Sequence, residues 1–120
     1  MPLDENLNAR IRALVADGLE VGGKAVRPRQ VAEKKMFGGV CFLYRGNMFC
    51  GADAKNGLMV RVGPDQHDKA LAHKHARPMD FTGKPMKGFV FVANEGTRTK
   101  AQLAKWVQMG LAFAGSLPAK

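Results

Sequence analysis

Apolar positions near the start of the chain recur with a helical period. Leu7, Ile11, Leu14 and Val15 fall on one face of a helix at 3.6 residues per turn. Asp4 reads as its N-cap. Gly18 reads as its stop, because glycine takes the left-handed conformation there without steric cost. Residues 20–30 then hold two glycines, a proline and the cations Lys24, Arg27 and Arg29, and read as a loop.

From Val31 the pattern alternates, as in strands with two unlike faces. Residues 31–36, 39–44, 48–53 and 58–62 read as four strands. Gly46-Asn47 suits a two-residue turn between the second and third, and Asn56-Gly57 a turn between the third and fourth. Three strands joined by two tight turns form an antiparallel meander. With Arg45 opposite Met48, one face carries Phe42, Tyr44, Phe49 and Val60, with Phe89 or Phe91. The other carries Cys41, Leu43, Cys50, Ala52 and Met59.

Gly63-Pro64 ends the meander, and proline opens a short helix over 65–75. Residues 77–86, with two prolines and Gly83, read as extended and turning. Residues 88–93 are apolar on both sides and form a fifth, well-covered strand. Thr99 and Gln102 have the spacing of a capping box. Leu103, Trp106, Val107, Gly110, Phe113, Ala114 and Leu117 follow them on a helical stripe closed by Pro118. The small Gly110 invites close approach of another backbone. The element order is α-β-β-β-β-α-β-α, in a single domain over residues 1–120.

Composition narrows the class. The 120 residues are 46% hydrophobic and 24% charged, which excludes a disordered tail, a collagen-like repeat and a disulfide-dense scaffold. No apolar run approaches the ~20 residues of a membrane span, and the opening MPLDENLNAR lacks the apolar stretch of a signal peptide. Two cysteines suit a reducing cytoplasm. The net charge of +9 points to nucleic acid, to an acidic partner or to solubility alone. The charges are spread along the chain, as on a solvated surface.

Candidate chemistry is sparse. His67, His73 and His75 lack the spacing of a zinc motif, and the last two point apart on a helix. Cys41 and Cys50 fall on one face as a diagonal pair, too far apart for a disulfide. Gly38-Gly39 precedes a strand and lacks a phosphate-loop framework, so a structural corner is expected there. Arg61 interrupts an apolar strand. It faces solvent, meets a buried acid or receives an anion. The sole serine, Ser116, sits in no nucleophile elbow.

Taken together, Lys35-Met-Phe-Gly-Gly-Val40, Tyr44-Arg-Gly-Asn-Met-Phe49 and Gly57-Leu-Met-Val-Arg-Val62 resemble the N-terminal domain of the TfoX/Sxy competence-regulator family. Arg77-Pro-Met79, Gly88-Phe-Val90 and the Trp106 helix are also similar to it. The resemblance implies a two-layer α+β fold, with a five-stranded antiparallel sheet and three helices on one side. It implies a cytoplasmic bacterial protein that regulates DNA-uptake genes with a DNA-bound activator. The motif positions it marks for binding are Met36, Phe37, Gly38, Gly39, Arg61, Arg77 and Pro78.

The resulting expectation is a non-enzymatic adaptor in transcriptional regulation, with no cofactor and no metal, acting through a protein partner. Weak, nonspecific DNA contact through Lys24, Arg27 and Arg29 is the first alternative. A small anion held at the Met36–Gly39 corner near Arg61 is the second. Three helices cover one face of such a sheet, so the other is expected to need the 20–30 loop or a second copy in a homodimer.

Overall fold

The computed structural model describes residues 3–21, 23–36, 39–53, 57–78 and 88–118. Helix α1 runs Leu3–Asp17. Its predicted apolar face is buried: Leu7, Ile11, Leu14 and Val15 are each at most 6% exposed. Gly18 ends it at φ 112°, its N–H donating to the Leu14 carbonyl at 3.1 Å. Asp4 lies inside the helix rather than capping it.

The segment expected to be a loop is a small hairpin. Strands β1 (Leu19–Val21) and β2 (Lys24–Val26) pair antiparallel, and a 3-10 turn spans Pro28–Gln30. Strands this short leave little alternation to read. The hairpin packs on the helix layer. The Glu20 N–H donates to Gln108 Oε1 at 3.1 Å, and Gln108 Nε2 donates back to the Glu20 carbonyl at 2.9 Å.

The main sheet contains β3 (Val31–Met36), β4 (Gly39–Tyr44), β5 (Asn47–Asp53), β6 (Gly57–Arg61), β7 (Ala76–Pro78) and β8 (Phe89–Val92). Its spatial order is β3-β4-β5-β6-β8-β7, antiparallel throughout. The sheet therefore has six strands, not five. The added strand is β7, hidden in sequence by Pro78, which an edge strand tolerates because its missing N–H interrupts no ladder. Between β6 and β7 lie a 3-10 turn at Pro64–Gln66 and the short helix α2, His67–Leu71. The expected helix thus starts at its proline but stops before His73.

Helix α3, Lys100–Gly115, carries the predicted capping box. Gln102 N–H donates to Thr99 Oγ1 at 3.1 Å, and Thr99 N–H donates to Gln102 Oε1 at 3.0 Å. With α1 it packs on one face of the sheet, against Phe42, Phe49, Leu58, Val60, Val90 and Val92. Gly110 lies against the Phe49 backbone, where a β-carbon would have no room.

Two local details differ from the sequence reading. The β4–β5 turn is Arg45-Gly46, with φ of 53° and 86°, so both central residues take the left-handed sign of a type I′ turn. Within the same pair Phe42 opposes Cys50 while Leu43 opposes Met48. Phe49 is the extra residue of a β-bulge, which resets the alternation. As a result Cys50 and Ala52 join Phe49 on the helix-covered face, and Cys41 and Cys50 lie on opposite faces. The turn expected at Asn56-Gly57 is described only from Gly57, at φ 87°.

The second face gathers Cys41, Met48, Met59 and Phe91, with Leu43 and Phe89 half-buried beside them. Phe89 and Phe91 thus belong to this face and not to the helix-covered one. Its four central residues are at most 7% exposed within one chain. The broad exposed patch that motivated a homodimer is therefore reduced to the margins of this cluster. The 20–30 hairpin lies on the helix layer and does not cover this face.

Candidate functional site: an arginine held between two rings

Arg61 ends β6 and pairs with Phe89 of β8. Its guanidinium carbon lies 5.6 Å from the centroid of the Phe89 ring and 5.2 Å from that of Phe113 on α3. Both distances fall within cation–π range. The side chain is half-buried. Among the described residues no carboxylate pairs with it: the ion pairs there are Arg12–Glu33 and Lys100–Asp17. Of the three sequence readings for Arg61, the buried acid is absent among the described residues. What remains is a guanidinium beside two rings, with no hydrogen bond from its N–H groups among the described residues.

Backbone geometry builds this corner. Gly63 has φ 88° and lies directly under the Phe113 ring. A side chain at 63 would displace the ring that stacks on Arg61. The Val62 and Gly63 N–H groups both donate to the Gly88 carbonyl, at 2.8 and 3.0 Å. Gly88 N–H donates to His67 Nδ1 at 2.9 Å, which fixes that imidazole as a structural acceptor. The glycines at 63 and 88 read in sequence as strand ends, and Phe113 as one more apolar residue of the helical stripe. No local signal links them to Arg61.

Arg77 lies on the other side of β8, paired with Phe91, its guanidinium 5.0 Å from that ring. Ordinary strand spacing puts Arg61 and Arg77 about 12 Å apart, on the same face of the sheet. Pro78 beside it is exposed.

The Met36–Gly39 corner is not part of this site. Met36 pairs with Gly39, which pairs in turn with Asp53, and Asp53 with Gly57. Gly39 is thus level with the start of β6, whereas Arg61 is at its far end, two strands across from Gly39 and three from Met36. An anion near both is excluded by the register. Phe37 and Gly38 lie outside the described residues.

Lys24, Arg27 and Arg29 are all exposed and lie within one short segment on the helix side. They form a basic edge separate from Arg61, with no aromatic residue among them. Cys41 and Cys50 are reduced and buried. Burial pushes the Cys41 thiol up to about 11 and that of Cys50 well above its ordinary value, so neither is an activated nucleophile. Among the described residues, no three His, Cys, Asp or Glu side chains converge as metal ligands. No described helix is long and apolar enough to cross a membrane.

No curated protein and no solved structure matches the chain. The family model for the TfoX N-terminal domain matches residues 27–114, from the end of the basic hairpin through nearly all of α3. That span contains Arg61, Arg77 and both stacking phenylalanines, and the chain belongs to the TfoX N-terminal domain family.

Proposed function

We propose that this domain is a non-enzymatic adaptor that contributes to transcriptional regulation by binding an acidic surface on a protein partner. The observation that carries this reading is Arg61. A guanidinium within cation–π range of both Phe89 and Phe113 is pre-organised, so less side-chain entropy is lost when it meets a carboxylate. It offers a planar pair of donors with no carboxylate facing it among the described residues. The +9 charge steers acidic partners toward the domain. Family membership supports a regulatory setting.

Affinity capture from a lysate of the source organism tests this reading. A transcription factor or polymerase subunit should be retained by the wild-type domain and lost with Arg61→Ala. Recovery of metabolic enzymes alone counts against it.

A second reading rests on a different observation, the exposed group Lys24, Arg27 and Arg29. It is nonspecific nucleic-acid binding through phosphates. Fluorescence anisotropy with labelled DNA at low salt should then show binding at about 10 μM protein that fades steeply with salt. A flat titration removes it.

A further inference from the structure

The turn after α2 and the first two turns of α3 enclose a cleft of about 220 Å3. Its polar lining comes from His73, Lys74, His75, Gln102, Lys105 and Trp106. These are two imidazoles, two ammonium groups, an amide and an indole, and no carboxylate lines the space. Gln102 Oε1 is already occupied by Thr99 N–H, so the amide has its NH2 group left to offer.

Trp106 lines the cleft while only 5% exposed, so its ring is held by the packing around it.

The walls are fixed before any ligand arrives. The His73 ring stands edge-on to Trp106, with centroids 4.9 Å apart and an interplanar angle of 66°. The carbonyls of His73 and His75 accept from Ala76 and Ala93 N–H at 3.1 and 2.9 Å. His75 is seated on Gly96, where a β-carbon would come within 2.8 Å of His75 Cβ. Such a site loses little entropy on binding.

We infer that this cleft is a binding site for a small oxyanion, a phosphate or a compact carboxylate. Cations gathered without an acid repel one another, and an anion relieves that repulsion while accepting charge-assisted hydrogen bonds. The cleft is smaller than the roughly 300–1,000 Å3 of sites for drug-sized ligands, which favours a compact ion. The site is separate from Arg61: Trp106 and Phe113 are seven residues, about 10 Å, apart along α3. Its failure would leave the adaptor reading standing.

Trp106 is the only tryptophan in the chain, so its fluorescence reports this cleft alone. The full chain is titrated with inorganic phosphate, pyrophosphate and citrate, each against sodium chloride at matched ionic strength. A saturable change with at least one oxyanion and none with chloride is expected. Lys105→Gln should weaken that response at least about fivefold, the loss of one charge-assisted contact, while Lys34→Gln on β3 should not. A response matched by chloride, or an affinity unchanged by Lys105→Gln, overturns the inference.

Discussion

Gly110 of α3 rests directly on the backbone of Phe49 in the bulge of β5, with no space for a β-carbon between them. This contact sets how closely the helix layer approaches the sheet. The obstacle would be a carbonyl rather than a flexible side chain, so the structure cannot yield cheaply. Gly110→Ala should cost about 2–3 kcal/mol, the upper range for overpacking. Urea denaturation measures it. A loss below about 0.5 kcal/mol, the range of surface substitutions, would mean the helix sits further out.

Arg61 contributes to stability as well as to the proposed site. Its two aromatic contacts predict that Arg61→Ala lowers stability by about 1–2 kcal/mol. Phe113→Leu should produce a similar loss, and the double variant less than the sum, because both remove one contact. Strict additivity in a double-mutant cycle would show that ring and guanidinium do not interact.

Alkaline conditions should weaken the fold through its thiols. Cys41 is held neutral by burial up to about 11 in the folded state, against an ordinary value of 9.0. The native state therefore binds more protons than the unfolded one above pH 9, so stability falls as pH rises from about 9 through 11. Cys41→Ala should reduce that slope in chemical denaturation and leave the part due to Cys50. At pH 8 both thiols should resist a disulfide reagent until the chain unfolds. Rapid labelling of the native protein would contradict their burial.

The Arg12–Glu33 pair joins α1 to β3, with contacts of 2.6 and 2.9 Å. The Arg12 hydrogen bond lowers the Glu33 carboxyl below its ordinary value of 4.5. The native state therefore resists protonation, and the contribution present above that value is lost as pH falls through the lowered one. Both side chains are substantially exposed, at 54% and 36%, so Glu33→Gln should cost only about 0.5 kcal/mol at neutral pH. The difference from wild type should vanish in acid. A cost above about 2 kcal/mol at pH 7 would place the pair outside the surface class.

The two long helices were readable because each carries its own end signals: Gly18 for one, Thr99 with Gln102 for the other. Most of the meander was readable from alternation. What failed needed information from other parts of the chain. The bulge at Phe49 adds one residue without disturbing the look of an alternating strand, so it moved Cys50 and Ala52 across the sheet. Arg45 takes a positive φ that its residue type does not advertise. Strand β7 is three residues long and contains a proline, and its pairing with β8 is visible only in space. Arg61 was legible as an odd residue in an apolar strand. Its rings were not, because Phe89 and Phe113 reach it from β8 and α3. The Trp106 cleft likewise joins residues 73–75 to α3 through tertiary packing.

The central claim is that Arg61 presents its guanidinium to an acidic protein surface. The most direct measurement is affinity capture from a nuclease-treated lysate, comparing wild type, Arg61→Lys and Arg61→Ala. A transcription-machinery component should be retained by wild type after nuclease treatment. Its recovery should fall partly with Arg61→Lys, which keeps the charge but loses the planar fork, and at least about tenfold with Arg61→Ala, as for a lost charge-assisted contact. Recovery that disappears with nuclease, or that is the same for wild type and Arg61→Ala, would contradict the account.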